Sequence, residues 1–317
     1  MTRTSFALVD NDGEEELFRE AQEGFVELKA EMEFAASQRG GREEFHLMQE
    51  AGRLFHIAIP SVAIQFSMLF IFPQAASAIG TRLGTNALGG FSLGSLVGNL
   101  TCLSIMVGAL SASDILMPRA FGAKDYDELG RLAIRSMVVC ILLLSFPLVP
   151  LCTMMDRVLV TLGQDLVASQ LASDWIRIYL LGAPANLGFR VIQRFLVAQQ
   201  QPWPPVYASV FPAVVLNPIL LRLLIPIMGC SGSALAIALT QWSMLILLLI
   251  YLYFKPVYHP ETWPGLKMSY IREALMPVPF LQFLNLSIGG VVSLSEWWFW
   301  EIGTIRLGVA FCYLLAL

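Results

Sequence analysis

Apolar residues in this chain come in long blocks, not in the alternation of strands or the narrow stripe of a surface helix. Seven such runs fall at about 54–80, 86–111, 133–155, 174–197, 205–227, 230–254 and 275–300. Each is long enough to cross the ~30 Å hydrocarbon layer of a bilayer as a helix. Polar residues gather in the joints: Arg82, then 119–131, then 156–174, then Gln199-Gln200-Gln201-Pro202, a short turn at 226–229, and 255–272. The pattern predicts an all-α polytopic membrane protein with about seven transmembrane helices, since a helix pairs all of its backbone groups internally where no water is available.

Ahead of the first run the pattern changes. Leu17, Ala21, Phe25, Leu28 and Met32 recur at helical spacing among Glu14, Glu15, Glu20, Glu23, Glu27 and Glu31, and Gly40-Gly41 ends the stretch. This predicts an acidic amphipathic helix in a soluble tail over 1–50. Either it is solvated throughout or its apolar stripe binds a partner. Its acidity opposes docking on an anionic membrane surface. The start of the chain has no short apolar core behind a basic segment, so a cleaved secretory leader is not expected.

Composition agrees with the block pattern. The 317 residues are 56% hydrophobic and 14% charged, against about 25% charged in soluble domains, and mean hydropathy is +0.65. The net charge of −4 is uneven: residues 1–53 hold 13 Asp/Glu against 6 Lys/Arg, and the remainder 11 against 14. The acidity belongs to the tail. Nothing suggests nucleic-acid binding. Cys102, Cys140, Cys152, Cys230 and Cys312 are scattered through apolar runs without metal-site or disulfide spacing, and His56 with Cys152 makes no metal site. No metal or cofactor is expected, and no His or acid cluster is arranged for catalysis, which disfavours a membrane enzyme.

Charge in the joints sets orientation. The tail and the second, fourth and sixth joints carry most of the Lys and Arg, while the first, third and fifth carry only Arg82 and Arg157. By the positive-inside rule the N-terminus is cytoplasmic. Seven helices with that orientation argue against a seven-helix receptor, whose N-terminus lies outside.

The stretch 274–303 holds the most conspicuous chemistry. Twenty-two residues from Ala274 to Ser295 carry no formal charge; then Glu296 and Glu301 bracket Trp297, Trp298, Phe299 and Trp300. An acid within a spanning helix is costly and commonly faces a polar cavity on an ion or proton route. The alternative is that the helix ends near Glu296, with wet acids beside an interfacial tryptophan belt. Five residues apart, the two acids point about 140° from each other on a helix and cannot form a close pair. The same region opens an internal repeat. Pro60, Gln65, Phe66 and Leu69 match Pro277, Gln282, Phe283 and Leu286 at a constant offset of 217 residues. The seventh run thus looks like the start of a second copy of a six-helix unit, and transporters built from repeats bind substrate near the repeat interface.

Four motifs, in order, resemble the multidrug and toxic compound extrusion (MATE) transporters of the eukaryotic type. They are Gly108-Ala-Leu-Ser-Ala-Ser-Asp114 leading into Arg119-Ala-Phe-Gly-Ala123; Gln193-Arg194-Phe195-Leu196 through Gln199 and Pro202; Gly229-Cys-Ser-Gly232-Ser-Ala234; and Glu296-Trp297-Trp298 with Glu301. The resemblance runs from about Ala51 to Glu301. It implies a six-helix N-terminal lobe over 51–254, a cytoplasmic inter-lobe loop over 255–272, and the first helix of a second lobe over 273–317. It also implies secondary antiport of H⁺ or Na⁺ against organic cations, xenobiotics or other small solutes in a lipid bilayer. Glu296 and Glu301 become the proton- or cation-coupling acids. Asn99, Gln65, Gln282, Trp297 and Trp298 become the substrate-cavity residues, though Asn99 equally suits a hydrogen bond between helices.

The chain also departs from the family. The family has about twelve helices and this chain offers seven. Arg119 stands where Gln is usual, and after Ile302 the pattern is lost in a short apolar stub. A truncated product is therefore expected, either inactive alone or associating with a full-length relative. Asp114, at the inner end of the second run, reads as a solvated acid. Arg190 and Arg194, four apart near the inner interface, read as snorkelling to headgroups. Pro60, Pro147, Pro150, Pro184, Pro212 and Pro218 read as helix bends that free carbonyls.

Overall fold

The computed structural model describes residues 47–258, 260–262, 268–274, 276 and 280–293. By its contacts the chain divides into residues 1–53 and 54–317. Of the first unit, only the beginning of one helix is described, and the predicted acidic helix of the tail lies outside the described residues. All other described residues belong to the second unit.

Helix α1 runs Leu47–Leu83 with Pro60 and Pro73 inside it. Helices α2 (Thr85–Gly98) and α3 (Ser104–Gly122) are joined by a π turn at Asn99–Leu103. Helix α4 is Tyr126–Thr161. Helices α5 (Leu166–Tyr179) and α6 (Ala183–Ala198) flank a 3₁₀ turn at Leu180–Gly182. Helices α7 (Trp203–Phe211) and α8 (Asn217–Met228) flank a second π turn at Pro212–Leu216. Then come α9 (Cys230–Phe254), a 3₁₀ turn at Pro260–Thr262, α10 (Met268–Ala274) and the apolar α11 (Phe280–Ser293). Among the described residues there is no strand.

The spans Ala58–Leu83, Thr85–Gly122, Trp203–Met228 and Cys230–Phe254 are long and apolar enough to cross a membrane. Helix α4 and the α5–α6 pair reach comparable lengths, so the helices follow the first six apolar blocks one for one, and α11 falls within the seventh. Phe55, Ile59, Val62, Phe66 and Leu69 form an exposed apolar stripe along α1, as contact with lipid requires.

The helices extend past the ends of the apolar runs. The second reaches Gly122 instead of stopping near 111, because nothing before Lys124 breaks it. Lys124 adopts a left-handed conformation (φ 60°). Asp125 then caps α4 by accepting from the Glu128 amide at 3.1 Å. Arg119, expected in a joint, therefore sits on the same helix as Asp114. Between α8 and α9 only Gly229 intervenes, at φ 61° and ψ −136°, a conformation only glycine adopts freely. Nearby, a side chain on Gly232 would run into the Leu224 carbonyl group.

The lobe is knitted by small residues and a few buried polar bridges. Gly94 and Gly98 on α2 admit Trp175 and Tyr179 of α5. Trp175 is fully buried, stacks on Tyr179 at 4.9 Å, meets the edge of Phe91 at 5.4 Å, and donates its indole N–H to Ser233 Oγ of α9 at 2.9 Å. On the other side, the second π turn leaves the Ala213 carbonyl free to accept from Gln74 Nε2 at 3.1 Å. Asn217 donates to Gln74 Oε1 at 2.7 Å and accepts from Thr240 at 3.3 Å, tying α1, α8 and α9. Such bridges each contribute about 0.6–2 kcal/mol inside a membrane.

Helix α11 docks on α3. Ser287 Oγ donates to the Ala109 carbonyl at 2.9 Å, Phe283 is buried against Ala112 and Val139, and a Cβ on Gly290 would lie 2.6 Å from the Gly108 carbonyl oxygen. The Gly108-Ala-Leu-Ser-Ala motif is thus a close-approach surface for the seventh helix. At the N-terminal end of α4, Arg131 lies 2.9 Å from Glu273 of α10 and 2.7 Å from Asp127, with its guanidinium 5.6 Å from the centre of the Tyr270 ring. Partial burial alone would lower the Arg131 pKa. The Asp127 and Glu273 carboxylates outweigh it and hold the guanidinium above its ordinary value.

Candidate functional site

Two concavities frame the possible sites of chemistry. The first is a cavity of about 150 Å³ inside the helix body, walled by α1, α3, α5, α6, α9 and the first π turn. Its polar lining is Gln65, Tyr179, Asn186, Arg190 and Gln241; the rest is Met68, Leu69, Ile71, Phe72, Leu103, Val107 and Met244. Arg190 is only 5% exposed and donates from Nε to Asn186 Oδ1 at 2.7 Å. No Asp or Glu among the described residues lines this cavity. Gln241 is 2% exposed, and its side-chain oxygen has no hydrogen-bond partner.

The snorkelling expectation for the arginines is overturned. Arg190 turns into the helix body instead of out to headgroups, because its position on α6 faces α1 and α9, and Asn186 one turn earlier supplies an acceptor. Arg194 lies 2.8 Å from Asp114 across α3 and α6, with 13% of its side chain exposed. Asp114 is therefore an ion-pair partner as well as a partly wet acid.

The second concavity is an open groove of about 680 Å³ between α3, α4 and α11. Arg119, Asp125, Glu128 and Arg135 supply its charge, and Gln282 and Asn285 of α11 its amides. Arg135 and Glu128, seven residues apart on α4, approach to 3.5 Å along one wall.

The residues singled out from sequence scatter over these regions. Gln65 lines the interior cavity from an exposed position on α1. Gln282, its repeat counterpart, lines the groove instead. Asn99 begins the first π turn; its carbonyl accepts from Ser104 Oγ at 2.9 Å, and its side-chain oxygen is buried without a partner. It does not line the cavity, although Leu103 of the same turn does. Glu296, Glu301, Trp297 and Trp298 lie outside the described residues. Sequence reading missed Tyr179, Asn186 and Gln241 at the cavity, and also the Gln74–Asn217–Thr240 bridge. The only signal was polarity: Gln74, Asn186, Asn217 and Gln241 are amides set deep in otherwise apolar runs.

The MatE family pattern matches residues 60–223, just over half of the chain. The chain belongs to the MATE family. Among curated proteins it is similar to multidrug and toxin extrusion protein 2 of Mus musculus, 30% identical over 265 residues, which cover 82% of this chain and 44% of the mouse protein. It is similar also to multidrug and toxin extrusion protein 1 of Danio rerio, 28% identical over 264 residues, covering 82% and 43%. The chain thus spans about half the length of these MATE relatives. Its fold matches the crystal structure of the eukaryotic MATE transporter AtDTX14 at a TM-score of 0.73 and 24% identity, over 81% of this chain and 56% of that one. This MATE chain is accordingly an all-α, multi-pass integral membrane protein, with a six-helix lobe followed by the first helix of another.

Proposed function

We propose that this chain supplies the first lobe of a secondary active transporter, one that exchanges H⁺ or Na⁺ for organic cations or other small solutes. The observation that carries the reading is the MatE match over 60–223, joined to relatives whose names describe multidrug and toxin extrusion. On this reading the N-terminus is cytoplasmic, the acidic segment 1–50 is a cytoplasmic tail, and 255–272 is the inter-lobe loop. Glu296 is the coupling group, and Glu301, five residues further on, is secondary. Burial disfavours the charged form of an acid, which suits a group that must take up and release a proton near neutral pH. Gln65, Asn99, Gln282, Trp297 and Trp298 are assigned to the solute path.

Alternating access in transporters of this kind moves one repeat against the other. The lobe is therefore expected to work with a second lobe, in association with a full-length relative or its C-terminal half. Reconstitution in liposomes tests this, with the chain alone and with a second lobe supplied. The chain alone should give little efflux of an organic cation. The pair should give efflux driven by a proton or sodium gradient, abolished by Glu296→Gln and only reduced by Glu301→Gln. Equal efflux by Glu296→Gln and the parent would refute the coupling role and leave both acids as interfacial.

A further inference from the structure

We infer that the interior cavity of the lobe binds a small monovalent anion, a halide or a short carboxylate, with the Arg190 guanidinium as its counter-charge. The inference does not rest on the transport reading.

A guanidinium keeps its proton in any protein environment. Burying a charge is tolerated only when it is paired or strongly hydrogen-bonded. Arg190 is 95% removed from solvent, and among the described residues its partner is a neutral amide, Asn186. The adjacent arginine cannot serve as counter-charge, being positive itself, and it is already matched with Asp114. Arg190, Arg194 and Asp114 together leave one positive charge without a matching carboxylate, and Arg190 carries it on the wall of a cavity.

The lining chemistry points the same way. An anion needs donors. Arg190 offers several N–H groups, Tyr179 an O–H, and Gln65 and Gln241 their amide N–H₂. The unpartnered state of the Gln241 oxygen fits as well. The oxygen and nitrogen of an amide are exchanged by a half-turn of the group. Turned over, Gln241 directs donors at the same space and brings its unpartnered oxygen to the side where its amide now meets the Tyr179 hydroxyl. The apolar remainder, including Met68, Phe72, Leu103, Val107 and Met244, keeps the local dielectric low and strengthens the single charge interaction.

Size and valence narrow the ligand. A cavity of about 150 Å³ is comparable to one that admits benzene. A halide, nitrate or short carboxylate fits with a water or two, and an organic cation of drug size does not. One net positive charge matches one negative charge. A dianion such as sulfate would bury an excess charge and should be rejected.

The test uses the purified full chain in detergent at constant ionic strength, with gluconate as the inert anion. Equilibrium dialysis with radiolabelled chloride should show one saturable site per chain, displaced by bromide or formate and not by sulfate. Arg190→Gln should abolish it, and Arg190→Lys should retain it with weaker binding. Gln241→Leu, which keeps the charge and removes one donor, should weaken chloride by roughly tenfold; it keeps the test decisive if Arg190→Gln does not fold. Absence of a saturable site in the parent overturns the inference, as does chloride binding unchanged in Arg190→Gln or in Gln241→Leu.

Discussion

The interior cavity and the groove against α11 both hold arginine near side-chain amides and put it to opposite uses. In the groove, Arg119, Asp125 and Glu128 reach solvent, Arg135 is nearly buried but lies 3.5 Å from Glu128, and the four charges sum to zero. In the cavity, Arg190 stands dry beside amides. Wet, mutually balanced charges contribute little, about 0–1 kcal/mol per pair. A dry, unbalanced one dictates what else must be present. Balance and access to water, not residue identity, decide whether an arginine here is structural or chemical.

Three substitutions put that contrast at risk. The largest effect is expected from Asn186→Leu, which removes the amide acceptor from Arg190 in the dry region. Loss of a charged hydrogen bond there should cost about 2–3 kcal/mol, measured by unfolding in a graded detergent series with gluconate as anion. A cost under about 0.5 kcal/mol would mean that Arg190 is already satisfied in some other way. Next comes Gly290→Val on α11, beside the groove. Its Cβ would meet the Gly108 carbonyl at 2.6 Å. It would also meet the Ser111 side chain; since the Gly108 oxygen is backbone and the new Cβ is fixed to its own helix, relief requires one helix to move, and about 1–3 kcal/mol should be lost. An unchanged unfolding curve would show that α11 does not depend on this crossing. The smallest effect is expected for Arg119→Cys, an exposed position of the open groove. Stability should change by no more than about 0.5 kcal/mol. The new thiol should react with an impermeant reagent only from the cytoplasmic side, and reaction from outside would reverse the proposed orientation.

The sequence made the helices legible and left the interior obscure, for one physical reason. Block length and the residues at the joints are local properties, so the seven segments, the Gly229 turn and the Gly108-to-Asp114 motif could be read directly. Which way a polar residue points depends on helix rotation against distant neighbours. Gln74 and Asn217 meet across 143 positions, and Arg194 finds Asp114 eighty residues back. Arg190 and Arg194 share one helix face, and the nearby membrane surface made snorkelling the economical reading. Only the placement of α1 and α9 shows that Arg190 is enclosed. The π turns compound the difficulty, since each inserts a residue and shifts the helical register behind it by about 100°. A helical wheel drawn from α2 misassigns every face of α3.

The Gly229 joint also bears on how the protein is made. With one residue between α8 and α9, there is no polar loop to carry across the bilayer. The tip closes its own backbone bonds: Gly229 donates to the Ile225 carbonyl at 2.9 Å, and Gly232 to the Gly229 carbonyl at 3.1 Å. An unpaired backbone group in hydrocarbon costs several kcal/mol, so this tip passes through lipid far more readily than an open loop would. The two helices are therefore suited to enter the membrane as one hairpin. Helix α8 then reaches its final orientation only once α9 has left the ribosome, which makes the order of synthesis part of the folding pathway of this half of the lobe.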